Sequence, residues 1–246
     1  MRDHEGVFGV MRAVVFYSNT NQSRALAECL ASLTGWELFD LSCPAQAERA
    51  ESVSFARAVL VFPVHCQRLP RPISDFLRVL DAKMLAVVAT YGGMCHGGVL
   101  RKVQREYAAG QIVAAAYVPM QHAYLPADTK TDLAVLRDLA AKLTADAPLP
   151  VRVPRAYKNP LADFFPAWRS RVGVRMHLDP DLCTGCGKCE RECSEGGVVN
   201  GRFTNRCIRC MKCAAHCKAG AISHRNRLPM RLYLKKKPTR HAEVYL

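Results

Sequence analysis

From residue 11 to residue 145 the chain alternates between two kinds of apolar patterning. RAVVFYS (12–18), WELFDL (36–41), ARAVLVFPV (56–64), KMLAVVATYGG (83–93) and QIVAAAYVPM (111–120) are short runs, apolar almost throughout and rich in β-branched residues. Continuous apolar runs of that length suit strands buried on both faces of a parallel sheet. Between them, apolar positions recur at helical spacing over roughly 22–33, 45–52, 72–81, 97–109 and 127–144. Strand and helix in strict alternation predict an α/β fold with a doubly wound parallel sheet over residues 11–145. The pattern then breaks. Residues 146–176 are rich in Pro and Arg and read as a linker, 177–225 carry most of the cysteines, and 226–246 read as a basic tail. Residues 1–10 look like an extension, with Met11 as an alternative start.

Composition sharpens this division. Half of the 246 residues are hydrophobic, enough to bury a core. Residues 1–150 hold 15 Lys+Arg against 14 Asp+Glu, whereas residues 151–246 hold 20 against 7. Nearly all of the net charge of +14 therefore lies in the cysteine-bearing half. Such a basic half suits a solvated face or nucleic-acid binding. The chain has few interleaved aromatics there and no recognisable binding helix, which places nucleic acid low. Arg12 interrupts the one early apolar run, so no signal peptide is expected. No apolar stretch reaches the roughly 18 residues of a spanning helix. The expectation is a cytoplasmic protein whose thiols are kept reduced for metal or cluster binding.

Eight of the twelve cysteines form two runs of identical spacing, C-x-x-C-x-x-C-x-x-x-C, at 183–193 and 207–217. Three thiolates at that spacing wrap around one iron–sulfur cube, and a fourth must come from elsewhere. In two-cluster arrangements the fourth Cys of each run ligates the other cluster. The spacing thus predicts Cys183, Cys186, Cys189 and Cys217 on one cube, and Cys207, Cys210, Cys213 and Cys193 on the second. Zinc also takes four thiolates, but as two separated C-x-x-C pairs, which would leave the third and fourth cysteines of each run surplus. The segment resembles a bacterial-type ferredoxin with two [4Fe–4S] clusters. One departure is plain: the resemblance implies Pro after each fourth Cys, and here Ser194 and Lys218 stand there. That removes a fixed φ but no ligand. Two cubes carry about −4 when oxidised, so part of the Lys and Arg excess balances buried negative charge. The remainder, notably Lys235, Lys236 and Lys237, suits an acidic redox partner or an anionic lipid surface.

After the first predicted strand come Ser18, Asn19, Thr20, Asn21, Gln22 and Ser23, a hydroxyl- and amide-rich turn into a helix. Backbone N–H groups at such a turn face an anion, and the helix dipole adds to the attraction. The bland alternative is a plain helix cap. No G-x-x-x-x-G-K-[ST] and no G-x-G-x-x-G is present, which argues against a nucleoside-triphosphate loop and a dinucleotide fingerprint. In a 2-1-3-4-5 sheet, the crevice opens at the carboxyl ends of strands one and three. Strand three ends in FPVHCQRLPRP and strand four in TYGGMCHGG. This constellation resembles flavodoxin. The resemblance implies FMN, its phosphate on Ser18–Ser23, its ring between Pro63, Val64 and His65 on one side and Thr90, Tyr91, Gly92 and Gly93 on the other. Asn21 stands where flavodoxins often have Gly, and Asn tolerates positive φ. Cys95 and His96 read alternatively as a nucleophile pair, with no third residue in view. Cys29 and Cys43 read as structural.

Taken in order, the two halves resemble the flavodoxin–ferredoxin fusion family of anaerobic bacteria and archaea. That resemblance implies electron transfer. The leading expectation is an electron carrier joining FMN to two [4Fe–4S] clusters. The alternative is a flavin-dependent reductase of a small molecule fed by its own ferredoxin half, with His65, His96 or Tyr91 as proton donor.

Overall fold

The computed structural model describes residues 11–125, 134–156, 166–236 and 238–246. The first half unfolds in sequence as β1 (Arg12–Phe16), α1 (Gln22–Thr34), β2 (Glu37–Asp40), α2 (Pro44–Glu51), β3 (Ser54–Pro63), α3 (Arg71–Phe76), β4 (Asp81–Tyr91), α4 (Val99–Glu106), β5 (Gln111–Pro119) and α5 (Ala134–Thr144). These five strands are all parallel, in the order β2-β1-β3-β4-β5. The doubly wound reading is therefore correct. Alternate side chains of one strand feed two cores. Ala13 and Val15 join α3 and α4 through Ile73, Phe76 and Val103, while Val14 and Phe16 join α1 and α5 through Leu26, Leu30 and Leu139. Burial on both faces is what erased polar alternation from these strands.

Helix ends follow local chemistry. Asn21 enters α1 with φ 63 and Gly35 closes it with φ 70, its N–H on the Ala31 carbonyl. The helix expected over 97–109 starts only at Val99, because Gly97 and Gly98 both hold positive φ. The helix expected over 72–81 is regular only to Phe76 and continues as turns to Leu80. Residues 127–133 of the fifth expected helix, 157–165 of the expected linker, the extension 1–10 and Lys237 lie outside the described residues.

The second half contains α6 (Pro166–Gly173), β6 (Val174–Leu178), α7 (Lys188–Arg191), β7 (Val198–Val199), β8 (Arg202–Phe203), α8 (Lys212–Ala215) and β9 (Ile222–Asn226). β6 pairs antiparallel with β9, and β7 with β8, giving a small ferredoxin-like α+β unit. The doubled spacing is doubled in backbone. Gly185, Gly187 and Gly196 hold φ 67, 66 and 59, and the residues 24 positions later, Arg209, Met211 and Gly220, hold 60, 66 and 64.

The segments at either end of this unit are more structured than their composition suggests. Val151 donates its N–H to the Ile112 carbonyl at 2.8 Å and Val153 is buried in the first core, so 151–153 run along the sheet edge. Beyond β9, α9 (Leu228–Leu234) packs on α6, and β10 (Glu243–Tyr245) lies antiparallel beside β5 as a sixth strand. Polarity hid this strand: three residues with one charge carry no periodic signal. Among the described residues no helix is long and apolar enough to cross a membrane.

Candidate functional site

β1 delivers the chain into the Ser18–Gln22 turn, and its first two side chains are buried there. The Ser18 hydroxyl and the Asn19 carbonyl oxygen are out of solvent and lack any hydrogen-bond partner. An unmet buried polar group costs about 1–3 kcal/mol, so this turn has donor and acceptor capacity to spare for a ligand. The Asn19 amide nitrogen meets His65 Nε2. Burial, reinforced by the Lys212 ammonium, holds His65 down to about 4, so its ring is neutral and Nε2 accepts. Ser23 Oγ pairs with Thr90 Oγ1 at 2.9 Å, which ties the helix start to the end of β4.

These groups open into a cleft of about 270 Å³ at the carboxyl ends of the strands, close to the small end of ligand pockets. Asn19, Thr20, Gln22 and Ser23 line it from the turn, Pro63, Val64 and His65 from β3, and Thr90, Tyr91 and Gly92 from β4. Ser18 lies behind this wall, and Asn21 is exposed at the helix start. Gly93 is occupied from outside: it accepts the Thr239 N–H at 2.7 Å, and a Cβ on it would stand 2.8 Å from that of Pro238. His96 turns to stack on Tyr117 at 3.6 Å and sets Nε2 3.3 Å from Glu243 of β10.

Sequence reasoning missed the opposite wall, which comes from the second half of the chain. Arg169 and Ser170 of α6, Arg209 and Cys210 of the second cysteine run, and Met230 and Tyr233 of α9 face the turn across the cleft. Tyr124, between β5 and α5, joins the halves: its hydroxyl donates to the Arg209 carbonyl at 2.6 Å, and its carbonyl accepts from Asn226 at 3.1 Å. Tyr17 donates to Ser194 Oγ at 3.3 Å, and Cys66 Sγ lies 3.2 Å from Ser170 Oγ. Cys66 and Gln67 themselves hold φ 49 and 66, a strained turn facing the cleft. The only trace of this wall in sequence is the positive charge of the second half.

The eight cysteines stand around two hollows rather than on single points. Among the described residues no three His, Cys, Asp or Glu converge as one metal ion requires. Cys193, Cys207, Cys210 and Cys213, with Cys189, border an enclosed hollow next to the cleft. Cys183, Cys186, Cys189 and Cys217, with Cys213, border an open one. The enclosed hollow is lined by two buried cations, Arg209 and Lys212. Burial pushes the Cys210 and Cys213 thiols up to about 12, so they stay protonated until a cationic ligand displaces the protons. Cys193 Sγ already accepts the Gly197 N–H at 3.1 Å. The outer thiols are different: Cys183 and Cys186 are exposed, and the Lys188 backbone N–H with the Thr184 hydroxyl lowers Cys186. Glu192 of the first run bonds His216 of the second at 2.6 Å and fastens the two repeats together.

Residues 176–196 match the 4Fe-4S binding domain family. No curated protein matches the chain in sequence. Among solved structures, similar chains include a candidate flavoprotein from Bacteroides uniformis (11% identity, 54% of this chain and 99% of that one, TM-score 0.40). Others are the Trp repressor binding protein from Bacillus subtilis (13%, 55% and 98%, TM-score 0.36) and an NAD(P)H:quinone oxidoreductase from Methanothermobacter marburgensis (10%, 56% and 98%, TM-score 0.36). The strand order and the matched 4Fe-4S segment together give this chain the architecture of a flavodoxin–ferredoxin fusion.

Proposed function

We propose that this chain transfers electrons between two [4Fe–4S] clusters and an FMN held in the interdomain cleft. Cys183, Cys186, Cys189 and Cys217 would hold the outer cube, and Cys207, Cys210, Cys213 and Cys193 the inner one. The Ser18–Ser23 turn would take the FMN phosphate on its backbone N–H groups and hydroxyls, and the buried Ser18 hydroxyl in that turn has no partner of its own. The ring would lie between the His65 and Thr90–Gly92 loops. When bound, the flavin supplies the ability to exchange electrons singly or in pairs, while each cube passes one.

One observation carries this reading: Cys210 borders both the cleft and the enclosed hollow. Ile208, Arg209 and Cys210 are then the partition between the two redox sites, and Cys210 is the cluster ligand among them. The chain's own residues arrange the rest. Tyr17, Cys66 and Tyr124 fasten the halves across the junction, and the buried Arg209 and Lys212 offset the inner cube's negative charge. The open hollow supplies the port. Lys188, Arg191 and Lys218 line it and Leu182 is exposed at its edge, a surface suited to an acidic redox partner. A reductase of a small molecule is the second reading. It is favoured by the apolar extension of the cleft past the ring loops, along Met94, Met120 and Met230.

The test is anaerobic purification of the full chain with iron, sulfide and flavin quantified. The expected content is about eight iron, eight sulfide and one FMN per chain. Cys217→Ser should empty the cube of Cys183–Cys189 and spare that of Cys207–Cys213. Zinc without sulfide, or loss of the opposite cube, defeats the cluster assignment. Full iron with no flavin after reconstitution defeats the FMN assignment.

A further inference from the structure

The walls of the cleft are electrostatically lopsided. The sheet side offers neutral groups: Asn19, Thr20, His65, Thr90, Tyr91. The other side offers two guanidinium groups, Arg169 and Arg209, and among the described residues none that lines the cleft is Asp or Glu. Each arginine has its Nη1 buried without a hydrogen-bond partner. Arginine does not shed its proton in a protein, so neither charge is relieved by neutralisation. Arg209 is buried and Arg169 partly so, and an anion in the cleft would meet the Nη1 donors that the fold leaves unmatched.

Arg209 is retained against a backbone penalty. Its φ is 60, and the equivalent residue of the first run is Gly185 at φ 67. A side chain in that left-handed conformation is strained where glycine is not. Its Nε donates to the Val174 carbonyl at 3.2 Å, and the guanidinium lies 5.9 Å from the Phe203 ring. These contacts fix its position and leave Nη1 unmatched. Arg209 also borders the enclosed hollow, where Lys212 shares the task of meeting cluster charge. Of the cleft and the two cysteine-lined hollows, Arg169 borders the cleft alone.

An oxidised flavin ring is neutral; after taking up two electrons and one proton it is a monoanion. We infer that Arg169 and Arg209 hold the negative charge of the reduced ring, so that the cleft binds reduced flavin more tightly than oxidised flavin. This rests on the flavin reading above. Preferential binding of the reduced form raises the flavin's potential. Flavin is then where electrons, delivered singly by a one-electron donor protein through the clusters, collect in pairs, with the proton taken from solvent.

The experiment is an anaerobic redox titration of the full chain with clusters in place, run with FMN and again with riboflavin, which lacks the phosphate. In Arg169→Gln the preference for reduced flavin should fall about tenfold, a drop of about 30 mV for a two-electron couple. The drop should be the same with either flavin. Arg169→Lys, which keeps the charge, should restore most of it. Arg209→Gln should lower the potential as well, with iron content confirming intact clusters. An unchanged potential in both Gln variants overturns the inference. So does a loss confined to FMN, which would put the arginines on the phosphate. If wild-type protein takes up neither flavin, the flavin reading itself fails; if it takes up both and the arginines leave the potential unmoved, only this inference fails.

Discussion

His65 and His122 show how position in the cleft sets chemistry that residue identity alone leaves open. Desolvation holds both down to about 4, with the Lys212 charge adding to the effect at His65. Both rings are therefore neutral in the fold at pH 7, and the unfolded chain protonates them near 6.5. The unfolded state binds more protons between those values, so stability is fully present above about 6.5 and declines as pH falls toward 4. Each histidine should contribute a loss on the order of 1–2 kcal/mol between pH 7 and pH 5. Urea midpoints at the two pH values measure it, and His122→Gln should remove about half of the drop. A pH-independent midpoint would show that these rings are solvated. His65 was legible as a cleft residue from its place after β3. His122 was not, because nothing in QHAYLP marks the ring as lying under Gly92, where a Cβ would come within 2.5 Å of it. Asn21 was legible for a simple reason: a turn needing positive φ narrows the residue choice to Gly and Asn.

At the scale of elements, the parallel strands and both cysteine runs could be read because their signals are local. A buried strand is a continuous apolar run, and the doubled cysteine spacing carries the doubled backbone turns with it. β10 escaped because its stability is borrowed from β5. Glu243, Val244 and Tyr245 stand opposite Tyr117, Ala116 and Ala115, and only that register makes them a strand. The same segment closes the Gly93 loop through Thr239 and faces His96 with Glu243. It also covers an edge that would otherwise present unpaired N–H and C=O groups. A chain stopped after Pro238 should lose about 2–3 kcal/mol, from a few backbone bonds at about 1 kcal/mol each plus the half-buried Val244 and Tyr245. That corresponds to a Tm lower by roughly 5–10 °C. The exposed β5 edge should also promote self-association, seen in light scattering. An unaltered Tm with a monodisperse sample would mean β10 is an ornament on the edge rather than part of the sheet.

At the scale of the whole molecule, the arrangement makes sense as a junction. The halves meet at the cleft, and the groups that join them are 85 to 177 residues apart in sequence. No local pattern signals such pairs, which is why the wall carrying Arg169 and Arg209 was invisible while the cysteines on either side of Arg209 were plain. Ser194 illustrates the point. Its sequence signature is only a missing proline, yet its hydroxyl accepts from Tyr17, which a proline side chain could not do. Tyr17 and Tyr124 are two tyrosines of the first half whose hydroxyls bridge to the cluster half, and each bond contributes about 1 kcal/mol net. The double variant Tyr17→Phe/Tyr124→Phe keeps both rings in their packing and removes only the donors. It should weaken docking of the halves by about 2 kcal/mol, raising the population of the opened form roughly thirtyfold. Hydrogen exchange at Arg209–Met211 and Ser18–Ser23 should speed up together, since those segments face each other across the cleft. Iron content should stay unchanged, because no cluster thiol is touched. With the proposed FMN and clusters bound, reduction of the flavin through the clusters should slow in step with opening, whereas reduction by a small chemical donor that reaches the cleft directly should not. Equal slowing of both routes would place the defect in the flavin site, and unchanged exchange would mean that the packing of the two halves, and not these two hydroxyls, holds the junction shut.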